Sequence, residues 1–332
     1  YGIPQVCFAT ESFMDDIAYE IGMDPLEFRR KNLIHGYYED AYLKPIAANT
    51  NGIFECLEKG AEYIHWDEKR KAYQNQTGDI RRGVGMALFS YKTGVWPISL
   101  EIAGARLSLN QDGSVQLQVG ATEIGQGADT VFSQMAAETL HMDISRVHIV
   151  TQQDTDVTPF DTGAYASRQS FVTGTAVKEC AQQLKQKILE YARTLVPGNV
   201  DRLELEDGYI LADGKPAISL EDLAMESYYS LSNSSVLTAE VSRQVKKNTV
   251  ASGCCFAEVE VDMKLGKIKV LDIVNVHDSG TLLNPQLAAM QVHGGMFMGI
   301  GYGVSEQLLI DEKTGRPLNG TLLDYKLMTM MD

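Results

Sequence analysis

Gly120-Ala121-Thr122-Glu123-Ile124-Gly125-Gln126-Gly127 separates two unlike patterns. Before it, Val115, Leu117 and Val119 alternate as one face of a strand; after it, Val131, Phe132, Met135, Ala136 and Leu140 recur at helical spacing. The stretch is therefore a strand-to-helix handover. Glycines there permit positive φ and let a ligand approach the backbone, and the free amides of a helix start attract anionic oxygen. Two readings stand: a phosphate-type cradle with Gln126 aimed at the ligand, or an ordinary Gly-rich turn. Neither GxxxxGK[ST] nor GxGxxG occurs here, so a Walker loop and a dinucleotide fingerprint are excluded.

Working upstream, Leu107 and Leu109 alternate against Val115 to Val119 across Asn110-Gln111-Asp112-Gly113, a hairpin. Residues 4 to 65 read as helices, with Val6, Ala9, Phe13, Ile17 and Ile21 at helical spacing and Asp24-Pro25-Leu26-Glu27 as an N-cap, a first-turn proline and an N3 acid. Another helix starts after Asn51, and strands begin at Asp79. Working downstream, Val177, Ala181, Leu184, Ile188 and Leu195 mark a long helix stopped by Pro197. Ala257 to Met263 and Ile268 to Val274 form a second strand pair, and Asn284-Pro285 opens a last helix. Weakly patterned residues 199 to 245 read as a connection. The fold class expected is α+β, with a helical segment at 1–78, a mixed subdomain at 79–240 and a second strand-helix subdomain at 241–332.

With 44 acidic against 29 basic side chains, a net charge of -15 removes the electrostatic footprint of a nucleic-acid binder. No apolar run is long enough for a membrane span and no leader opens the chain, so a cytoplasmic protein is expected, with neither nucleic acid nor membrane as partner. The five cysteines lack CxxC or Cys/His spacing and read as buried free thiols rather than zinc or iron-sulfur ligands. Tyr1 in place of Met and the uncapped stretch Leu327 to Asp332 suggest a piece of a longer protein.

Two further segments are candidates. Asp154 to Ser170 is a polar loop whose Ser167, Arg168, Gln169 and Ser170 offer donors just before a helix, suited to an anion, although a capped turn explains it equally well. Its aspartates lack EF-hand spacing. In the last helix, Gly294, Gly295, Gly299, Gly301 and Gly303 accompany Gln291 and His293. Each interior glycine costs about 1 kcal/mol relative to alanine. A close neighbour is therefore expected, either backbone or cofactor, while His277 and His293 read as hydrogen-bonded structural histidines.

In this order the segments resemble the molybdopterin-binding part of the xanthine dehydrogenase and aldehyde oxidase family. Tyr1-Gly2-Ile3-Pro4-Gln5 resembles the end of its FRGxGxPQ motif. Ala103-Gly104-Ala105 and Asp112-Gly113-Ser114 lead to the GQG segment; the Asp154 to Ser170 loop and Gln291-Val292-His293-Gly294-Gly295 follow collinearly. Thr151 to Gln169 looks most like bacterial xanthine dehydrogenase subunits. The resemblance implies a molybdenum-molybdopterin cofactor contacted by Ile124, Gln126, Gly127, Ala166, Ser167, Arg168, Gln169 and Gln291. It places Tyr1 as one of two aromatic rings around the substrate and Ser99 where the second would stand, with Trp96 or Phe89 as substitutes. It implies oxidative hydroxylation of a purine, hypoxanthine or xanthine, with water as oxygen source, and electrons passing to iron-sulfur and FAD modules on partner subunits or domains. Another N-heterocycle or an aldehyde is the alternative substrate, and a non-catalytic assembly subunit the alternative role. The general base, a Glu, is expected after Asp332, and the remaining cofactor and substrate segments upstream of Tyr1, so this chain alone is expected to be inactive.

Overall fold

A computed structural model describes residues 2–34, 38–39, 45–46, 52–329 and 331, and divides the chain into two compact units, residues 1–91 with 249–332 and residues 92–248. The first begins with α1 (Ile3–Glu20) and α2 (Pro25–Asn32), followed by the short pair β1 (Tyr38–Glu39) and β2 (Pro45–Ile46), α3 (Ile53–Ile64), α4 (Trp66–Ala72) and β3 (Ile80–Thr93). The chain then builds the second unit with β4 (Ile102–Leu109), β5 (Val115–Val119), α5 (Ala128–Leu140), β6 (Val147–Ile149) and α6 (Gln169–Leu195). β7 (Leu203–Glu206), β8 (Tyr209–Ala212), β9 (Lys215–Ser219), α7 (Leu220–Tyr229) and β10 (Thr238–Gln244) complete it. The first unit is finished by β11 (Thr249–Asp262), β12 (Lys267–Asp278) and α8 (Pro285–Val304). The architecture is mixed α and β, as expected; no described helix is long and apolar enough to cross a membrane.

In the second unit the sheet runs β10-β4-β5-β6, with β5 and β6 parallel and the other pairs antiparallel. Leu107, Leu109, Val115 and Leu117 point from it into a core filled by Phe132 and Leu140 of α5 and Val177, Ala181, Leu184 and Ile188 of α6. Alternation in the strands and i, i+3/i+4 spacing in the helices bring these apolar faces together, and each large side chain withdrawn from water contributes about 1.5–3 kcal/mol. Residues 199 to 245 are not a bare connection. They hold the sheet β7-β8-β9, α7 and the edge strand β10, which pairs with β4 from Thr238↔Ser108 to Gln244↔Ile102. Short strands with little alternation, stabilised by tertiary pairing, carry too weak a local pattern to be read.

The first unit joins stretches that the sequence suggests belong to separate subdomains. β11 lies between β12 and β3, and Phe256 and Cys254 of β11 meet Leu57, Cys56 and Ile64 of α3 in one buried cluster with Trp66. Trp66 stands edge-on to Phe256 at 5.7 Å, and the Cys254 thiol donates to the Cys56 carbonyl at 3.1 Å. Gly60 is needed there, because a Cβ would run into the Phe256 ring. The N-cap of α2 forms as read: Asp24 accepts from the amides of Leu26 at 2.9 Å and Glu27 at 3.4 Å. α1 forms, but Val6, Phe13 and Ile21 of its expected core face are exposed and Ala18 is buried instead.

Candidate functional site

In the second unit, the loops that follow the parallel strands β5 and β6 lie side by side at the carboxyl ends of those strands, the position at which α/β sheets bind ligands. Two glycines permit this. A Cβ at Gly120 would collide with the Pro159 carbonyl, one at Gly104 would come within 2.7 Å of Pro159, and the Gly104 amide donates to the Phe160 carbonyl at 2.8 Å.

The GQG loop holds an anion of its own. Glu123 accepts from the amides of Gly125 at 2.7 Å and Gly127 at 3.0 Å through one oxygen, and from that of Asp129 at 3.1 Å through the other. Burial raises the Glu123 pKa, but the amides of Gly127, Asp129 and Gly125 outweigh it and hold the carboxyl below its ordinary value. The amides expected to cradle a ligand phosphate thus serve Glu123, which the sequence reading missed; an acid a few residues before a helix start was the available signal. Gln126 is not aimed outward either. Its oxygen accepts from the Ile124 amide at 2.7 Å, and its nitrogen donates to the Thr122 carbonyl at 3.1 Å and the Gln169 side chain at 2.5 Å. Gln169 is buried and donates in turn to the Thr122 carbonyl at 3.1 Å. The large apolar side chain that the loop exposes is Ile124, 69% accessible.

Arg168, expected among the anion donors, has no exposed surface. Its guanidinium meets Glu101 at 2.5 Å, Asp161 at 2.6 Å and the carbonyls of Gly163 at 3.0 Å and Ile102 at 2.7 Å. Its backbone is used as well, the amide donating to the Tyr165 carbonyl at 3.1 Å and the carbonyl accepting from the Val172 amide at 2.7 Å, so Arg168 braces the loop and offers nothing to a ligand. The neighbouring backbone is unusual: Ala166 and Ser167 are consecutive non-glycine residues at φ 49° and 51°. Such strain, of the order of 1 kcal/mol or more per residue, persists only where the surroundings over-determine it, and it gathers at ligand clamps. Among the described residues the amides of Ser167, Gln169 and Ser170 make no hydrogen bond, and the buried Thr162 Oγ1 and Gln153 Nε2 of the same loop have no partner. This donor set fits an oxygen-rich, phosphate-bearing group.

Ser99 is exposed and its amide donates to the Val95 carbonyl at 3.1 Å; Trp96, in the same segment, is half-buried. Tyr1 lies outside the described residues. Gln291 and Phe89 belong to the first unit, where both line a cavity of about 1280 Å³ along the β11–β12 sheet and α8. Asn275 Oδ1, also at that cavity, is buried without a partner. The close neighbour expected along α8 is met only at Gly301, against Glu306 and Met328; around Gly294, Gly295, Gly299 and Gly303 nothing described comes within 4 Å of a Cβ position. His277 tilts against Phe89 at 4.8 Å, and neither it nor His293 makes the hydrogen bond expected of it among the described residues.

Residues 59–332 match the model of the molybdopterin cofactor-binding domain, and residues 1–33 match a second model of the same description. The chain is 48% identical, over its whole length and 44% of the relative, to the xanthine dehydrogenase molybdenum-binding subunit of Escherichia coli O157:H7. It is 26% identical, over 97% of itself and 41% of the relative, to the nicotine 6-hydroxylase large subunit of Paenarthrobacter nicotinovorans. The fold matches that of reconstituted CO dehydrogenase from Oligotropha carboxidovorans with a TM-score of 0.84 at 22% identity, covering 100% of this chain and 43% of that one. The chain thus spans less than half the length of these relatives. With that family model matching residues 59–332, the chain belongs to the molybdopterin cofactor-binding domain family, in keeping with the resemblance of its sequence.

Proposed function

We propose that this chain is part of the molybdopterin-binding subunit of a hydroxylase that oxidises a purine, hypoxanthine or xanthine, at a ring carbon with water as the oxygen source. The observation that carries the reading is the juxtaposition of the Gln126 and Gln169 loops beside the unpartnered amides of Ser167, Gln169 and Ser170. When bound, the molybdenum-molybdopterin group supplies the two-electron redox chemistry. The residues of this chain bind and orient. The amides of Ser167, Gln169 and Ser170 hold anionic oxygen, as backbone donors at a helix start do. Gln126 and Glu123 keep the adjoining loop closed, and Ile124 offers an apolar surface from which water is excluded. The resemblance of the sequence assigns Gln291 to the cofactor and Tyr1, with the segment carrying Ser99 and Trp96, to the substrate. Electrons leave to iron-sulfur and FAD modules on partner subunits or domains, in the cytoplasm.

The 48% identity to a xanthine dehydrogenase subunit favours a purine, and the likeness to a nicotine hydroxylase keeps another heterocycle as the second reading. The test is the full-length protein with its partners, analysed for molybdenum and pterin and assayed on xanthine, hypoxanthine, nicotine and an aromatic aldehyde. Turnover of the purines at least about tenfold above the others is expected. Preference for the aldehyde or nicotine would replace the substrate, and absence of molybdenum and pterin would leave only a non-catalytic assembly role.

A further inference from the structure

We propose that the buried cluster Glu101–Arg168–Asp161 is a positioning element that ties residues 93–101, the candidate substrate segment, to residues 161–168, the candidate cofactor segment, and so sets one against the other. The proposal rests on the cofactor reading above and adds to it a role for three residues that touch neither ligand.

Each connection is direct. One oxygen of Glu101 accepts the Val95 amide at 2.6 Å and the other accepts Arg168 Nε at 2.5 Å. Arg168 Nη1 reaches Asp161 Oδ1 at 2.6 Å and the Gly163 carbonyl at 3.0 Å, while Nη2 takes the Ile102 carbonyl at the start of β4 at 2.7 Å. The loop from Asp161 to Arg168 is therefore closed upon its own guanidinium, with the left-handed Ala166 and Ser167 inside the closure. The remaining Asp161 oxygen accepts from Thr173 of α6 at 2.7 Å, and the Tyr165 ring lies 5.6 Å from the guanidinium carbon. A second tie runs beside the first: the Gly94 amide donates to the Ala166 carbonyl at 2.8 Å. Gly94 sits at φ 81°, where a Cβ would meet Glu101 Oε1 at 3.0 Å, so the approach of the two segments requires glycine. Asn248 donates to the Trp96 carbonyl at 2.6 Å and holds the far side of the segment.

Stability alone does not account for such a cluster. Two carboxylates and one guanidinium with side chains no more than 1% exposed carry a net charge of -1 away from water, and apolar residues of similar volume commonly hold a fold as well or better. What apolar packing cannot supply is direction. The planar fork of arginine addresses four acceptors at fixed angles, which a lysine ammonium does not reproduce. Placement within about 0.5 Å is what a reacting constellation demands of its supports.

The test uses the full-length, cofactor-loaded protein with its partners and two variants, Glu101→Gln and Arg168→Lys. Glutamine keeps the acceptor for Val95 but turns a donor toward Arg168 Nε; lysine keeps the charge and loses the fork. Pterin content per folded protein, the circular dichroism of the bound cofactor, xanthine KM and kcat, and the melting temperature of the cofactor-free form are measured. Glu101→Gln is expected to raise KM about tenfold, with kcat and pterin content within about twofold. Arg168→Lys is expected to lower pterin content about tenfold and to change the cofactor dichroism, with the folded fraction maintained. Variants matching wild type within about twofold in KM and pterin content would overturn the proposal. Losses that merely follow the folded fraction, or failure of both variants to fold, would overturn it as well by assigning the cluster to stability. A wild-type protein without pterin would instead reject the cofactor reading itself.

Discussion

The loops of the second unit and helix α8 of the first are both glycine-rich and both carry motifs by which the sequence resembles its family, yet they are built in opposite ways. In the loops the polar groups answer one another: Glu123 serves the amides of its own turn, Gln126 meets Gln169, and Arg168 is saturated by four acceptors. Along α8 little is answered, with Met290, Phe297, Met298 and Tyr302 exposed and four glycines facing open space. Glycine is required in the first case because backbone passes close by, at Gly120 and Gly104. In the second, the described residues crowd only Gly301, where a Cβ would meet the Glu306 and Met328 side chains. A motif of small residues thus reports that close approach is permitted, and only coordinates tell whether the approaching atoms belong to the same unit.

The comparison breaks most visibly at Arg168. Arg168→Ala leaves Glu101 and Asp161 as uncompensated buried carboxylates and should cost about 3–5 kcal/mol in urea unfolding followed through Trp96, the only tryptophan of the second unit. A loss below about 1 kcal/mol would mean that the loops are not braced from within.

The contrast sharpens with paired substitutions in the two regions. Leu117→Ala, in the fully buried core, should cost about 2–5 kcal/mol, whereas Phe297→Ala on α8, 41% exposed, should stay within about 0.5 kcal/mol in this chain. Gly299→Ala should stabilise α8 by about 1 kcal/mol, and helical content from far-ultraviolet dichroism during thermal melting reads it. A destabilising Gly299→Ala would reveal a neighbour against that face.

The smallest effect distinguishes two acids at the start of α5. The pKa of Glu123 is lowered, so its stabilisation is complete above the ordinary carboxylate range and is lost as pH falls through the folded-state value. Asp129 is shifted the other way, by burial and then by Glu123, and its buried Oδ1 has no partner. Its ionisation therefore opposes folding, and stability falls as pH rises from the ordinary Asp value through the raised one. At pH 7 Glu123→Gln should cost about 1 kcal/mol and Asp129→Asn should gain a similar amount, the Asp129 difference fading as pH falls to the ordinary Asp value and the Glu123 difference only below its lowered folded-state value, in denaturant titrations. Equal signs for the two variants would contradict this opposed pair.

Much was legible without coordinates. The handover at Gly120 to Gly127, the hairpin at Asn110 to Gly113, the Asp24 cap and the start of the last helix at Asn284 all depend on local rules: side-chain period, capping chemistry and turn residues acting within a few positions. Tertiary structure decided which distant groups meet. That Arg168 turns inward to Glu101, 67 positions away, and that β11 and β12 close the first unit upon β3 and α3 could not be read locally. Ion pairs and strand partners are chosen by the burial and geometry of the whole chain, and a residue's immediate neighbours carry no record of that choice.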